Sequence, residues 1–421
     1  MGRSSAFDVV IAAGGVIGSS IAYHLCADPA FDGTVAVIER DPSYQVGSTA
    51  RSAGGLRQQF STPVNIEMSR FGVEFIRHAH QTLAVGGDAP ALNFQEIGYL
   101  FLASAAGLPI LERNTVVQHA HGAATEILSP ETLRERFPWI STEGLAAGAF
   151  GPRDEGYLDP YALLMAFRRK ARELGAVYLN DSVEGVTRLS GRVTGVTLRD
   201  GGPISCGTLV DAAGVRAAEI AAMAGLDLPV RPRKRFVYVI DCRTPVPGLP
   251  LMIDTNGVWV RPEGPQFICG VSPDPADDPD CTDFDIDETL FNEVIWPTIA
   301  TRVPAFEAVK VVNSWAGHYA YNTLDQNAVL GPHPEVDNFL FANGFSGHGL
   351  QQSPAVGRGL AEWIIHGAYR SLDLSPLGYA RIVANAPLAE VNVVSPHFSP
   401  PRLAAPRRGL GRLSARSGEV I

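Results

Sequence analysis

The sequence predicts an α/β protein of two domains, one built on a parallel sheet covered by helices and a smaller one on a mixed or antiparallel sheet. Three observations carry this. The first forty residues read strand, glycine turn, helix, strand, the length of one βαβ unit. The strand, glycine turn and helix return twice, at Thr208–Gly225 and again from Asn338. Between those returns, residues 226–324 hold short β-branched and aromatic runs such as RFVYVID and PQFICGVS, broken by prolines, as antiparallel strands are.

Each element follows in order. Phe7 to Ala13 is an almost unbroken apolar run, the signature of a parallel strand covered on both faces. Val16 to Cys26 reads as a helix and Thr34 to Arg40 as the second strand. Residues 41–62 are rich in Gly, Ser and Thr and too irregular for either element; ordered loops of that length carry function. A helix is expected over Pro63–Gly86, then mixed structure to about residue 150 with a helical stretch near Pro130–Arg136. Gly156–Ala176 is an amphipathic helix with Pro160 near its start and Gly175 near its end. A strand at Val177–Leu179 and a hairpin over Val183–Leu198 come next. The first domain is therefore Rossmann-like and assembled from residues 1–85, 150–225 and 325–375, the second from 86–149 and 226–324. Residues 395–421, rich in Pro, Arg and Gly, read as a flexible tail.

Composition excludes several classes. The chain has 421 residues, 46% hydrophobic and 19% charged, with a formal net charge of −10. Such a balance describes a globular protein, and the missing basic stripe argues against a nucleic-acid partner. Only Lys170, Lys234 and Lys310 are lysines. The five cysteines are scattered without a Cys-x-x-Cys pair, which disfavours a metal cage or disulfide framework and suits a reducing cytoplasm. No apolar run reaches the roughly 18–20 residues of a membrane span, and the N-terminus lacks the apolar core of a signal peptide. His78 with His80, and His119 with His121, are spaced so that neither pair converges on one metal from a helix.

The chemistry starts at DVVIAAGGVIGSSIAYHL. The slots of a Gly-x-Gly-x-x-Gly fingerprint fall on Ala13, Gly15 and Gly18, with Val16 and Ile17 between the last two. The second glycine of the pattern lets backbone approach a pyrophosphate and the third lets helix and strand pack closely. The helix beginning at Val16 offers N–H groups and a positive dipole end to phosphate oxygens. Glu39, at the end of the second strand, is placed to accept hydrogen bonds from a ribose 2′-OH. The first glycine is missing, which matters only if position 13 needs φ > 0.

Together with GSTARSAGGLRQQFS, LVDAAG and FANGFSGHGLQQSPAVGRGLAE, this stretch resembles the FAD-dependent D-amino-acid oxidase, glycine oxidase and sarcosine oxidase superfamily over about residues 7–370. The resemblance implies a two-domain flavoprotein. Glu39 and Arg40 would serve the adenosine, and Ser48 and Thr49 the pyrophosphate. Arg51 and Ala53, Gly54, Gly55 and Leu56 would pass along the isoalloxazine. Val183 would meet the adenine through its backbone, Ala213 and Gly214 would close on the phosphates, and Gly347, His348, Gly349, Leu350 and Gln351 would approach the flavin N1–C2=O edge. Covalent anchors of the family are absent: His318, not cysteine, stands nearest one tethering slot and Arg51 fills the other. FAD is therefore expected to be noncovalent.

The same resemblance implies oxidation of a C–N bond by hydride transfer to flavin N5, giving an imine that hydrolyses. The substrate would be an amino acid or an N-substituted glycine, as in glycine and sarcosine oxidases, and some family members form β-amino acid units of natural products. The family's carboxylate-binding arginine slot falls on Tyr319 and its lysine slot on Gln351. Arg57 is the candidate carboxylate partner, since a guanidinium matches a carboxylate in two hydrogen bonds; Tyr238, His318, Tyr319 and Gln351 are candidates to line the pocket. Lys234 is the candidate for helping molecular oxygen react. A dehydrogenase using another electron acceptor, or a non-catalytic FAD protein of the assembly-factor kind, stands as the alternative.

Overall fold

The computed structural model describes residues 6–391; the tail expected from residue 395 lies outside them. The chain opens with β1 (Ala6–Ala12), α1 (Val16–Ala27), β2 (Val35–Glu39), β3 (Gly55–Leu56) and α2 (Pro63–Thr82). It continues through β4 (Tyr99–Ala103), α3 (Leu108–Ala120), β5 (Glu126–Leu128), α4 (Pro130–Arg136), β6 (Ala147–Gly151), β7 (Gly156–Tyr157) and α5 (Pro160–Glu173). Strands β8 (Val177–Asn180), β9 (Val183–Leu189), β10 (Arg192–Leu198) and β11 (Gly202–Asp211) precede α6 (Ala217–Met223). There follow β12 (Val230–Cys242), β13 (Leu251–Ile253), β14 (Trp259–Glu263), β15 (Gln266–Gly270), α7 (Trp296–Arg302) and β16 (Val309–Asn322). The last elements used below are β17 (Val329–His333), β18 (Val336–Asn343) and α8 (Gly349–His366).

The first sheet runs β17-β18-β11-β1-β2-β8, with β9 and β10 added beyond β11. Its central pairs β11–β1, β1–β2, β2–β8 and β18–β11 are parallel. Both faces are buried, as the apolar runs require: Val9, Ile11, Val35 and Val37 enter one core with α1, α2, α5 and α8, while Val10, Ala12, Ala36 and Ile38 enter the other with α6. Where α1 crosses α8, a Cβ on Gly357 would stand 2.2 Å from Ser20 Oγ, so only glycine allows that approach.

The second sheet runs β16-β12-β15-β14-β13-β4-β6-β5. It is antiparallel except where β13 lies parallel to β4. Expected boundaries shift at the ends. The helix expected to Gly86 ends at Thr82, and the one expected from Gly156 starts at Pro160, capped by Asp159 whose side chain accepts from Ala162 N. Helix α3 lies inside the stretch that sequence leaves mixed.

Candidate active site

Strand β1 delivers the chain into a turn at Ala13–Gly15. Ala13 has φ 75°, the left-handed region that favours glycine. A Cβ on Gly18 would lie 2.1 Å from the Ala13 carbonyl oxygen, whereas one on Gly15 would meet only Thr49 Oγ1 at 3.6 Å. Gly18 is thus demanded by helix–strand packing, and Gly15 presents bare backbone. α1 begins with no side-chain cap and no acid in its first turn, leaving its positive end available to an anion. Thr49 reaches this end, accepting from Val16 N at 3.3 Å.

Glu39 closes the turn from the second strand. Its carboxylate accepts from Gly14 N and Asp41 N, both at 2.8 Å, while burial raises its pKa. Arg40 beside it is exposed. On the neighbouring strands, Asp211 and Asn343 are fully buried and linked by Asn343 Nδ2 donating to the Asp211 carbonyl at 3.2 Å. Asp211 Oδ2 and Asn343 Oδ1 have no partner among the described residues, and burial pushes the Asp211 carboxyl well up. Ala213 and Gly214 (φ 57°) form the turn after β11, and Val183 is buried at the start of β9. A helix start free of acids, a bare glycine turn and a strand-end carboxylate fit a dinucleotide laid across the carboxyl ends of β1 and β2.

From this cradle, residues 51–57 cross one face of the second sheet, its inner face. Arg51 donates from Nε to the Gln45 carbonyl and from Nη1 to the Ala316 carbonyl, each at 2.7 Å, and Trp315 Nε1 donates to the Arg51 carbonyl at 3.0 Å. A Cβ on Gly317 would meet Arg51 Cβ at 3.2 Å. Ala53 packs beside Val237, Val239 and Ile268, and its carbonyl accepts from Nε and Nη2 of Arg261. Gly54 (φ 76°) could carry no side chain, for a Cβ would stand 2.3 Å from the Leu158 carbonyl oxygen. Gly55 and Leu56 pair with β7; Gly55 faces Leu251 and Tyr99, while Leu56 enters the core of the first sheet.

At the end of this crossing lies Arg57, 9% exposed. Its Nη2 donates to Nε2 of His348 at 2.9 Å, and its guanidinium lies over the rings of Phe60 and Phe101 at 4.3 and 5.2 Å. Among the described residues no carboxylate lies within ion-pair distance of it. Gln351, in the first turn of α8, accepts from Arg57 N at 2.8 Å. It therefore braces the loop. Because a guanidinium can only donate, Nε2 of His348 is an acceptor and the neutral ring carries its proton on Nδ1, a buried atom with no partner among the described residues. Burial and then Arg57 push the His348 pKa down to about 3. The preceding turn is tightly folded: Ser346 has φ 50° and Gly347 φ 105°, and a Cβ on Gly347 would lie 2.5 Å from the Tyr319 ring.

Tyr319 thus stands at the inner face, against the turn that opens α8. Two other pocket candidates do not. Cross-strand register pairs Lys234 with His318 and Arg235 with Gly317, so the residues alternating with Arg235 and Tyr319 point to the outer face. Tyr238 is packed there with Ile240, Cys269 and Phe291, its hydroxyl donating to the Asp287 carbonyl. His318 faces Phe284 at 4.7 Å between ring centroids. Lys234 is bound to Asp283 at 2.6 Å, so the expected oxygen-helping lysine is turned away and already paired.

Three inner-face groups escaped the sequence reading. Tyr99 lies beside Gly55, with its phenol pushed up to about 12 by burial. Arg261 is 3% exposed and lies over the Tyr157 ring, 3.8 Å from its centroid. Glu155 is buried beneath the loop, accepting from the backbone N–H groups of Gln58 and Gln59 and from Gln59 Nε2. Burial raises its pKa to about 7. Among the described residues no group of three or more His, Cys, Asp or Glu could hold a metal ion, and no helix is long and apolar enough to cross a membrane.

Comparison with known proteins agrees with this geometry. The model of the DAO family, described as FAD dependent oxidoreductase, matches residues 8–363. "FAD-dependent oxidoreductase domain-containing protein 1" of Xenopus laevis is 43% identical over 423 residues, covering 92% of this chain and 85% of that protein. The 4-methylaminobutanoate oxidase (formaldehyde-forming) of Paenarthrobacter nicotinovorans is 28% identical, covering 85% of this chain and 43% of its own length. Among solved structures, L-proline dehydrogenase from P. horikoshii superposes with a TM-score of 0.81 at 26% identity, over 90% of this chain and 99% of that one.

Proposed function

The chain belongs to the DAO family of FAD-dependent oxidoreductases, and from that premise we propose that it oxidises the C–N bond of an amino acid or N-substituted glycine. The observation that supports this reading is Arg57. Glu155 feels the Arg57 charge from beyond ion-pair distance, but a buried guanidinium with no carboxylate in direct contact is costly, and a substrate carboxylate entering beside it would supply that contact in two hydrogen bonds. Two of the similar proteins are named for L-proline and 4-methylaminobutanoate, each a secondary amine bearing a carboxylate.

When bound, FAD supplies a two-electron acceptor that takes a hydride from the carbon attached to nitrogen. The chain's own part is placement. Arg57 fixes the carboxylate, and Gln351 holds the Arg57 backbone. His348, kept neutral, offers Nδ1–H as a hydrogen-bond donor at the start of α8, whose uncapped end favours negative charge. Tyr99 and Tyr319 give the site aromatic walls that exclude water. The substrate nitrogen releases its proton to solvent, and the resulting imine takes up water to give a carbonyl compound and an amine.

With Lys234 turned to the outer face and paired with Asp283, a dehydrogenase that passes electrons to an acceptor other than oxygen is the favoured form. Anaerobic absorbance at about 450 nm, where oxidised flavin absorbs, tests both points across amino acids and N-alkyl glycines. Bleaching by one class supports the reaction, and slow recolouring in air supports the dehydrogenase. A protein that holds FAD which no amine bleaches would overturn the proposal.

A further inference from the structure

Past Tyr238–Ile240, where β15 pairs with β12, the loop after β15 folds back along the freed edge of β12. Cys281 N donates to the Pro232 carbonyl at 3.0 Å, and Arg233 pairs with Asp280 as an isolated bridge. Three acids of this loop meet three successive cations of the strand: Asp280 with Arg233 at 3.1 Å, Asp283 with Lys234 at 2.6 Å and Asp278 with Arg235 at 2.8 Å. The pairs are not alike. Asp280 and Asp283 are half exposed, at 53% each, so their bridges contribute little. Asp278 and Arg235 are buried, at 7% and 10%, and joined by two parallel hydrogen bonds from Nη1 and Nη2. Beyond them, Phe284 lies under the Arg51 guanidinium at 4.1 Å, so the loop also reaches the segment that crosses the inner face.

Arg235 sits on that inner face. Its guanidinium lies 5.0 Å from the Tyr319 ring centroid, and its Nε is buried with no partner among the described residues. Tyr319 abuts Gly347, and the next residue, His348, is hydrogen-bonded to Arg57. One continuous set of contacts therefore joins two guanidinium groups, one without a carboxylate and one holding a carboxylate from a strand-free loop.

We propose that Asp278 keeps the place of a second anionic group of the substrate at Arg235, so that the site takes an amine carrying two anions and their arrival releases the loop 271–287. This rests on the reading of Arg57 as the first carboxylate partner. A carboxylate on the far arm of the substrate reproduces the bidentate geometry that Asp278 now makes, and the loop loses its buried ion pair, keeping two screened surface pairs, the backbone bonds of Cys281 and Asp287 and the Arg233 bond to the Asp278 carbonyl.

The test uses holoprotein and compounds without an amine, which cannot be oxidised: butyrate against glutarate. Binding is read from perturbation of the flavin absorbance, and loop release from chymotryptic cleavage after Phe284. Glutarate is expected to bind a few-fold tighter than butyrate, because its second carboxylate takes over the bidentate pair at Arg235 while Asp278 is released to water, and to speed cleavage at Phe284. In Asp278→Asn the cleavage should be fast without ligand and glutarate should bind several-fold tighter still; in Arg235→Gln the preference for glutarate should vanish while butyrate binding stays. A glutarate preference that survives Arg235→Gln, or an Asp278→Asn protein with Phe284 protected and unchanged affinity, would overturn the proposal. If Arg235→Gln does not fold, Asp278→Asn decides alone. Should no amine bleach the flavin while glutarate still releases the loop, only the proposed reaction falls.

Discussion

Arg57 Nη2 and His348 Nε2 meet at 2.9 Å, and this contact fixes the tautomer of the histidine and adds to the burial that keeps it uncharged. Burial, reinforced by the guanidinium, holds the ring neutral down to about pH 3. Turnover should accordingly show no histidine inflection between about pH 5 and 8, the range where an unperturbed imidazole titrates. Arg57→Gln should raise KM by about a hundredfold or more through loss of a charged hydrogen-bonded pair, with FAD still bound. Steady-state kinetics on that variant, beside its flavin content, checks the assignment.

Ala13 holds a left-handed conformation that glycine adopts without strain. Ala13→Gly should stabilise the protein by about 1 kcal/mol or leave it unchanged, since the freer unfolded chain offsets part of the gain. FAD affinity should rise or stay level. Gly18→Ala, which sets a methyl against the Ala13 carbonyl, should abolish FAD binding. Thermal melting and FAD titration of the two variants read these opposite signs; weaker FAD binding in Ala13→Gly would show that the turn works differently.

Glu155 has a folded-state pKa near 7, raised from 4.5. A raised carboxyl binds its proton more tightly folded than unfolded, so its contribution is present below about pH 4.5 and lost as pH rises through about 7. Asp211 shifts in the same direction. Stability should therefore decline across this window, and Glu155→Gln should remove on the order of one proton from the difference in uptake. Denaturant unfolding at a series of pH values measures the slope; an unchanged slope in the variant would assign the titration elsewhere.

Glu390 sits at the start of α2, accepting from Ser61 N, Ser61 Oγ, Thr62 Oγ1 and Asn65 Nδ2. Val391 N returns a bond to Ser61 Oγ at 2.8 Å. Glu390→Ala leaves the Ser61 N–H without its acceptor and takes a carboxylate from the Ser61 and Thr62 hydroxyls, while Asn65 keeps Asn327, which should cost about 1–3 kcal/mol. Because Ser61 follows directly on Arg57–Phe60, FAD should also dissociate faster. Melting temperature and the rate of flavin release test the two effects separately.

Much of the nucleotide cradle was legible because its determinants are local. Gly15, Gly18 and Glu39 belong to one short βαβ unit whose spacing dictates what they can do. The substrate side was harder for a physical reason. Strand β12 is covered on both faces, by loop 51–57 on one and by Phe291 and Ile295 on the other. Its sequence RKRFVYVID therefore shows no polar–apolar contrast that would tell Arg235 from Lys234, or assign Tyr238 to the core. Glu155 and Arg261 act on residues about a hundred and two hundred positions away, and nothing in their neighbours announces such partners. Helix α3 was missed because its apolar and polar residues fall on no single side, with only Leu111, Thr115 and Gln118 buried.

The central ladder β18-β11-β1 pairs Leu209–Asp211 with Phe339–Phe341 on one side and with Val10–Ala12 on the other, and α8 packs on α1 through Ser20 Oγ and the Ser353 carbonyl. During synthesis this half can be completed only after residue 353 has left the ribosome. The strands β12 to β16, which pair among themselves in one antiparallel set, emerge earlier. The first sheet must then be completed beside an already emerged partner, with the β11 edge waiting for β18. A nascent chain stalled before β18 would expose that edge, making this the stage at which the protein most needs a chaperone.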